Sequence, residues 1–225
     1  SFGFPEERFE RVYRDVESTL YRDALMEQVI APVHGALLEA ERVDLGDGLA
    51  LVRADAADAP PEAVEDPDEP FCVLERYVSP GEGVPAEEAE RRFAEVVTAM
   101  RLWAPGPVGL GAPGWRRTDG GRWQPLALTG GASVPAGGWA LAAGDEGSLR
   151  DFCAAVAEVE PAPTVAWALG RFEMGCERRY DSEALSDYLL ALRALLDATS
   201  DAGEASLALR VAALCAEEGL RKHVQ

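Results

Sequence analysis

Five residues between positions 115 and 123 come closest to a recognition surface. Trp115, Arg116, Arg117, Arg122 and Trp123 read W-R-R…R-W, a hairpin-like unit. Aromatic faces can stack bases while guanidinium groups hold phosphates. The same set could bind an acidic protein partner. The plainer alternative is a strand pair with core tryptophans and solvated arginines. Charge bears on the choice. The chain of 225 residues has a net charge of -19 and a pI near 4.4, which argues against general DNA binding. Residues 101–150 are the only non-acidic part, with 5 basic against 3 acidic side chains. An RNA or protein partner therefore stays open, and contact with an anionic membrane is not expected.

A second set lies near the C-terminus. Asp187 flanks a stripe of Leu185, Leu189 and Leu192, and Arg178 and Arg210 fall on neighbouring helical segments. This spacing predicts a partly buried ion pair or triad that fixes helix register, structural rather than catalytic.

Other chemistry is thinly represented. His34 and His223 are the only histidines and neither belongs to an HExxH motif, so no metal centre is expected. DLGDG at 44–48 reads as a hairpin turn, being too short for a calcium loop. GLGAPG at 109–114 has no following helix and no GK[ST], so no nucleotide cofactor is expected. GxSxG is absent. The four cysteines, Cys72, Cys153, Cys176 and Cys215, include no CxxC pair and read as reduced thiols of a cytoplasmic protein. Cys176 lies on the stripe of Phe172 and reads as core. Glu173 with Glu177, and Asp197 with Asp201, are i, i+4 pairs expected to face solvent. Whether the chain is an enzyme is left open by these residues.

The elements that must position these residues follow from periodicity. Residues 6–30 place Phe9, Val12, Tyr13, Val16, Leu20 and Ala24 at helical spacing. Residues 42–53 alternate around Gly46-Asp47-Gly48 and predict a hairpin. Asp55 to Pro70 is acidic and Pro-rich and predicts an exposed loop. FCVLERYV at 71–78 predicts a strand. Pro85 opens a helix over 85–102, with early glutamates and a late Arg101. Residues 104–144 are Gly- and Pro-rich with spaced aromatics, and predict short strands joined by turns. From 147 onward the pattern is helical. Ser148 with Asp151 resembles a capping box, and Asp181 or Ser182 is the expected cap of the next-but-one helix. The fold class expected is α+β, mainly α. A mixed region over 1–144 carries short antiparallel strands, and an antiparallel helical bundle follows over 145–225. No apolar run approaches the roughly 18 residues of a membrane span. The absence of an initial Met and the helical context at Gln225 predict that residues are missing at one or both ends.

The phrases ALGRFEMGCERR (168–179), SDYLLALRALLD (186–197) and SLALRVAALCAEE (206–218) resemble the Apea-like group of the HEPN superfamily. About a quarter of the chain carries the resemblance. The positions matching the family pattern are Arg171, Phe172, Arg178, Asp187 and Arg210, and Arg171 thereby joins the ion-pair set. The family often has Glu where Arg193 stands. The resemblance implies a helical binding or regulatory module that is homodimeric and acts in defence or RNA metabolism. Ribonucleases of that superfamily carry Arg, then four to six residues, then His. Neither histidine here has an Arg at that distance, so no ribonuclease activity is expected of these residues. Two other readings remain: a non-enzymatic scaffold or assembly protein, and an enzyme with a pocket in the Trp/Arg-rich middle.

Overall fold

The computed structural model describes residues 24–129, 138–196 and 204–215. Its longest strand is β1 (Leu25–His34), at the centre of the main sheet. This corrects the helix expected over 6–30, of which residues 6–23 lie outside the described residues. The reason is two-sided burial. Val29, Ala31 and Val33 enter one core while Ile30 enters another, a period of two that both flanking strands reinforce.

β2 (Ala36–Leu38) follows, then the hairpin of β3 (Arg42–Gly46) and β4 (Leu49–Arg53). Gly48 at the turn has φ +75°, and a Cβ there would sit 2.0 Å from the Glu75 carbonyl oxygen, so only glycine fits. The acidic loop contains one short 3₁₀ turn, Pro61–Ala63, whose Ala63 is buried. β5 (Pro70–Val78) and α1 (Ala86–Trp103) come next. Four short strands then occupy the Gly/Pro-rich middle: β6 (Gly109–Leu110), β7 (Gly114–Thr118), β8 (Gln124–Leu126) and β9 (Trp139–Leu141). The main sheet has the order β3-β4-β5-β1-β7-β8, with β6 pairing the end of β1, and every pairing in it is antiparallel. β2 and β9 form a separate parallel pair.

α1 covers one face of this sheet. Phe93, Val96 and Met100 pack there with Val29, Leu51, Leu74 and Trp139. The opposite face buries Ile30, Val52, Phe71 and Val73 beneath the acidic loop. α2 (Glu146–Glu158) joins the first core through Leu149, and Arg150 Nε donates to the Asp44 carbonyl at 2.6 Å. Residue 145 is therefore no boundary in the packing, because α2 belongs with the sheet. The capping box is also corrected. α2 starts at Glu146 behind Asp145, which leaves Ser148 inside its first turn with no side-chain cap bond.

The remaining helices are α3 (Pro163–Cys176), α4 (Asp181–Leu196) and α5 (Glu204–Cys215). Asp181 and Ser182 lie within the first turn of α4, where the acid complements the helix dipole, and Tyr180 O accepts the first N–H groups. The architecture is mixed α/β around an antiparallel sheet, not mainly α. In place of a closed bundle, the described residues give a hairpin of α3 and α4 set beside α1. Its fully buried positions are only Ala168, Gly175, Asp187 and Ala191, too small a set for a bundle core.

Candidate functional site

β7 divides the Trp/Arg cluster between two faces of the sheet. Trp115 lies opposite Ile30 and Arg117 opposite Gln28, whereas Arg116 lies opposite Val29 on the α1 side. Arg116 Nη1 stands 3.7 Å from Glu27 Oε1, and its Nη2 donates to Val84 O at 3.2 Å. Glu27 is only 2% exposed and also accepts the Val84 N–H at 2.6 Å. Arg116 is thus the counterion of a buried carboxylate. Arg117 stacks over the Trp123 ring at 4.4 Å, donates to Gln28 Oε1 at 2.6 Å and pairs with Asp58. Gln28 in turn donates to Glu75, which also accepts from Arg42. The result is a polar ladder running from β7 across the sheet to β3. Arg122 is exposed in the β7–β8 loop. The five residues do not form one surface. The cavity beside Arg117 and Trp123 holds about 190 Å³, below the ligand-sized range of about 300–1,000 Å³.

The second set converges in part. Asp187 accepts from Arg178 Nε at 2.8 Å and from Arg171 Nη1 at 3.1 Å, joining α4 to α3 and to the loop between them. Arg210 is not in this group. It donates to Leu196 O and so caps the end of α4, because α5 meets α4 only near that end. Hydrogen bonding from Arg178 first, and then from Arg171, holds the Asp187 carboxyl below the usual carboxylate range. A depressed folded-state pKa contributes stability above the unfolded value, near 4, and that stability is lost as pH falls through the folded value. Asp187→Asn is therefore expected to lower Tm at pH 7 and to narrow the difference from the parent below about pH 4. Thermal melts at the two pH values check this. An equal Tm difference at both would remove the charge from the explanation.

Glu173 and Glu177, expected in solvent, instead tie the hairpin to α1. Glu173 accepts from the Thr98 hydroxyl. Glu177 Oε1 accepts from both terminal nitrogens of Arg101, at 3.2 and 3.3 Å. Two hydrophilic positions thus became inter-helix contacts because α1 presents a threonine and an arginine on its last two turns.

Two neighbouring cavities lie along the hairpin and share the Phe172–Tyr188 ring pair, whose centroids are 5.9 Å apart; together they are called the trough. Gly175 permits this packing, since a Cβ there would sit 2.4 Å from Tyr188 Cε1. One half, of about 710 Å³, is walled by Leu102, Val156, Val159, Val165, Leu169 and Leu192, among other apolar side chains. The other half, of about 760 Å³, is walled by Arg101, Pro107, Cys176, Arg178, Asp181 and Leu185, with others. Both halves fall in the volume range of ligand sites, and the second lies where the hairpin meets the sheet layer. In the sequence, Val165, Ala168, Leu169 and Phe172, and Leu185, Tyr188, Leu192 and Leu195, recur at helical spacing. The signal it offered was an apolar stripe too wide for two helices to bury between them.

Nucleophiles here are muted. Burial, reinforced by the Cys176 sulfur 3.7 Å away, pushes the Tyr188 hydroxyl up to about 12. Burial raises the Cys153 thiol to about 11 and the Cys72 thiol further. All three stay protonated near neutrality. His34 Nδ1 lies 2.7 Å from Glu69 Oε2, whose other oxygen accepts the Gly35 N–H. Among the described residues no group of three or more His, Cys, Asp or Glu side chains could hold a metal ion, and no helix is long and apolar enough to cross a membrane. No family model, curated protein or solved structure matches the chain.

Proposed function

We propose that the chain is a HEPN-like binding and regulatory module, homodimeric and without ribonuclease activity of its own. It works in the reducing cytoplasm that its free thiols suit. The observation that carries this reading is the outer side of the α3–α4 hairpin. Trp167, Met174, Leu189 and Leu190 are each between 40% and 50% exposed there, an apolar grouping of the kind that marks association surfaces. The electrostatics permit self-association there. The chain carries -19 overall, yet residues 163–196 hold four arginines against five acidic side chains, so two copies meet there with little repulsion. The HEPN element rests on the resemblance of residues 168–218. Its support is that Arg171 and Arg178 bond to Asp187, while Arg210 stands apart from them.

Light scattering on the purified chain is expected to give about twice the 24.1 kDa monomer mass. The double variant Leu189→Glu/Leu190→Glu should return the monomer with unchanged helical circular dichroism. A monomeric parent at high concentration overturns the self-association. Cleavage of a labelled single-stranded RNA by the parent overturns the non-ribonuclease reading.

A further inference from the structure

None of the four exposed residues assigned to self-association is among the residues that line the trough. Its two halves differ in chemistry along a single line. From Val165 through Phe172 to Cys176 on α3, and from Leu195 through Tyr188 to Asp181 on α4, the walls pass from purely apolar to polar. The run from 165 to 176 is about 17 Å long at 1.5 Å per residue.

Arg101 is the polar end's decisive feature. Its side chain is only 4% exposed. It spends Nε on Val108 O and one N–H from each terminal nitrogen on the same Glu177 oxygen. A guanidinium offers five N–H donors in a fixed fork. Two are therefore unspent among the described residues, on a buried cation that lines the trough. Arg178, committed to Asp187 through Nε, lines the same end. Glu177, the counter-charge to Arg101, is half in solvent and compensates it weakly.

We infer that this trough binds a single-chain acyl carboxylate, with its hydrocarbon tail in the apolar half and its carboxylate received by Arg101 at the polar half. With Nε and the end-on pair of N–H groups already engaged, the buried guanidinium has a terminal N–H left to donate to one carboxylate oxygen, a charge-assisted contact. A tail laid against Val156, Leu169 and Leu192 removes apolar wall from water at no polar cost.

The test uses the full chain and the fluorescent probe 1-anilinonaphthalene-8-sulfonate, displaced by hexadecanoate or by hexadecanol. Hexadecanoate is expected to displace the probe, and the uncharged alcohol to bind about tenfold more weakly. Ala155→Trp, from an exposed position that lines the apolar half, should block the tail and weaken hexadecanoate at least about tenfold. Val159→Asp, at the 64% exposed end of α2, does the same by charge and serves if Ala155→Trp lowers the melting temperature. Failure of hexadecanoate to displace the probe overturns the inference. So does equal displacement from parent and both variants, which would mark surface adsorption, or equal affinity for acid and alcohol. Loss of self-association in Ala155→Trp, with no hexadecanoate binding by the parent, assigns the trough to a second copy instead. Dimerisation tested at Leu189 and Leu190 stands or falls separately.

Discussion

Arg116→Ala is expected to destabilise the chain by about 3–5 kcal/mol, lowering Tm on the order of 10 °C. The size comes from what the substitution leaves behind. Glu27 is almost wholly enclosed between β1 and the segment that enters α1, and among the described residues Arg116 is its one ion-pair partner. Removing the guanidinium strands a carboxylate in a low-dielectric site. It also frees Val84 O, which accepts from Arg116 Nη2. Arg116→Lys should recover part of the loss by restoring charge without the fork. Denaturant melts of the three proteins decide the matter. A loss below about 1 kcal/mol would mean that Glu27 is not held as a buried anion. The same measurement separates two meanings of W-R-R…R-W, since a solvent-facing phosphate contact would change ligand retention and leave the melt alone.

Trp139→Ala is expected to cost a similar amount, about 3–5 kcal/mol. Trp139 is fully enclosed, and its indole N–H donates to Met100 O at 2.9 Å near the end of α1. Its backbone also lies against Gly106, where a Cβ would come within 3.0 Å. The substitution opens a cavity between β9 and α1 that the parallel β2–β9 pair cannot collapse into. Trp139→Phe should retain most of the stability, because Met100 O keeps the Ala104 N–H as a partner. Met100 precedes Arg101 and Leu102, which wall the two halves of the trough. Trp139→Ala is therefore expected to weaken hexadecanoate as well as the fold, and a variant that melts early yet binds the acid at full strength would uncouple the two.

How much of this could be read beforehand differs from element to element. The β3–β4 hairpin was legible because Gly46-Asp47-Gly48 demands positive φ, which is a local property. α1 was legible from its opening proline, early glutamates and late arginine, again local signals. The short strands of the middle were legible from glycines and spaced aromatics. β1 was not. Residues 25–30 continue a helical periodicity from upstream, and only burial between β5 and β7 makes their alternation decisive. The meeting of Arg178 with Asp187 was legible because both lie within one helical hairpin, whereas placing Arg210 required knowing where α5 docks. The ties from Glu173 and Glu177 to α1 join residues about 75 positions apart in sequence. No local pattern encodes such a meeting, and the trough exists only because of it.

The polar ladder on the second face ends at Arg42 and Asp44, and that end has a meaning of its own. β3 is an outer strand of the sheet, short, charged along its exposed side and irregular between Asp44 and Gly46. The other outer strand, β8, is three residues long and carries Pro125, which has no N–H to offer. Charge, a bulge and proline are the devices by which sheets refuse further strands. Both rims of the main sheet are thus blunted among the described residues. The described rims of the main sheet therefore offer a poor template for a strand from another copy, and growth of this sheet from chain to chain is disfavoured.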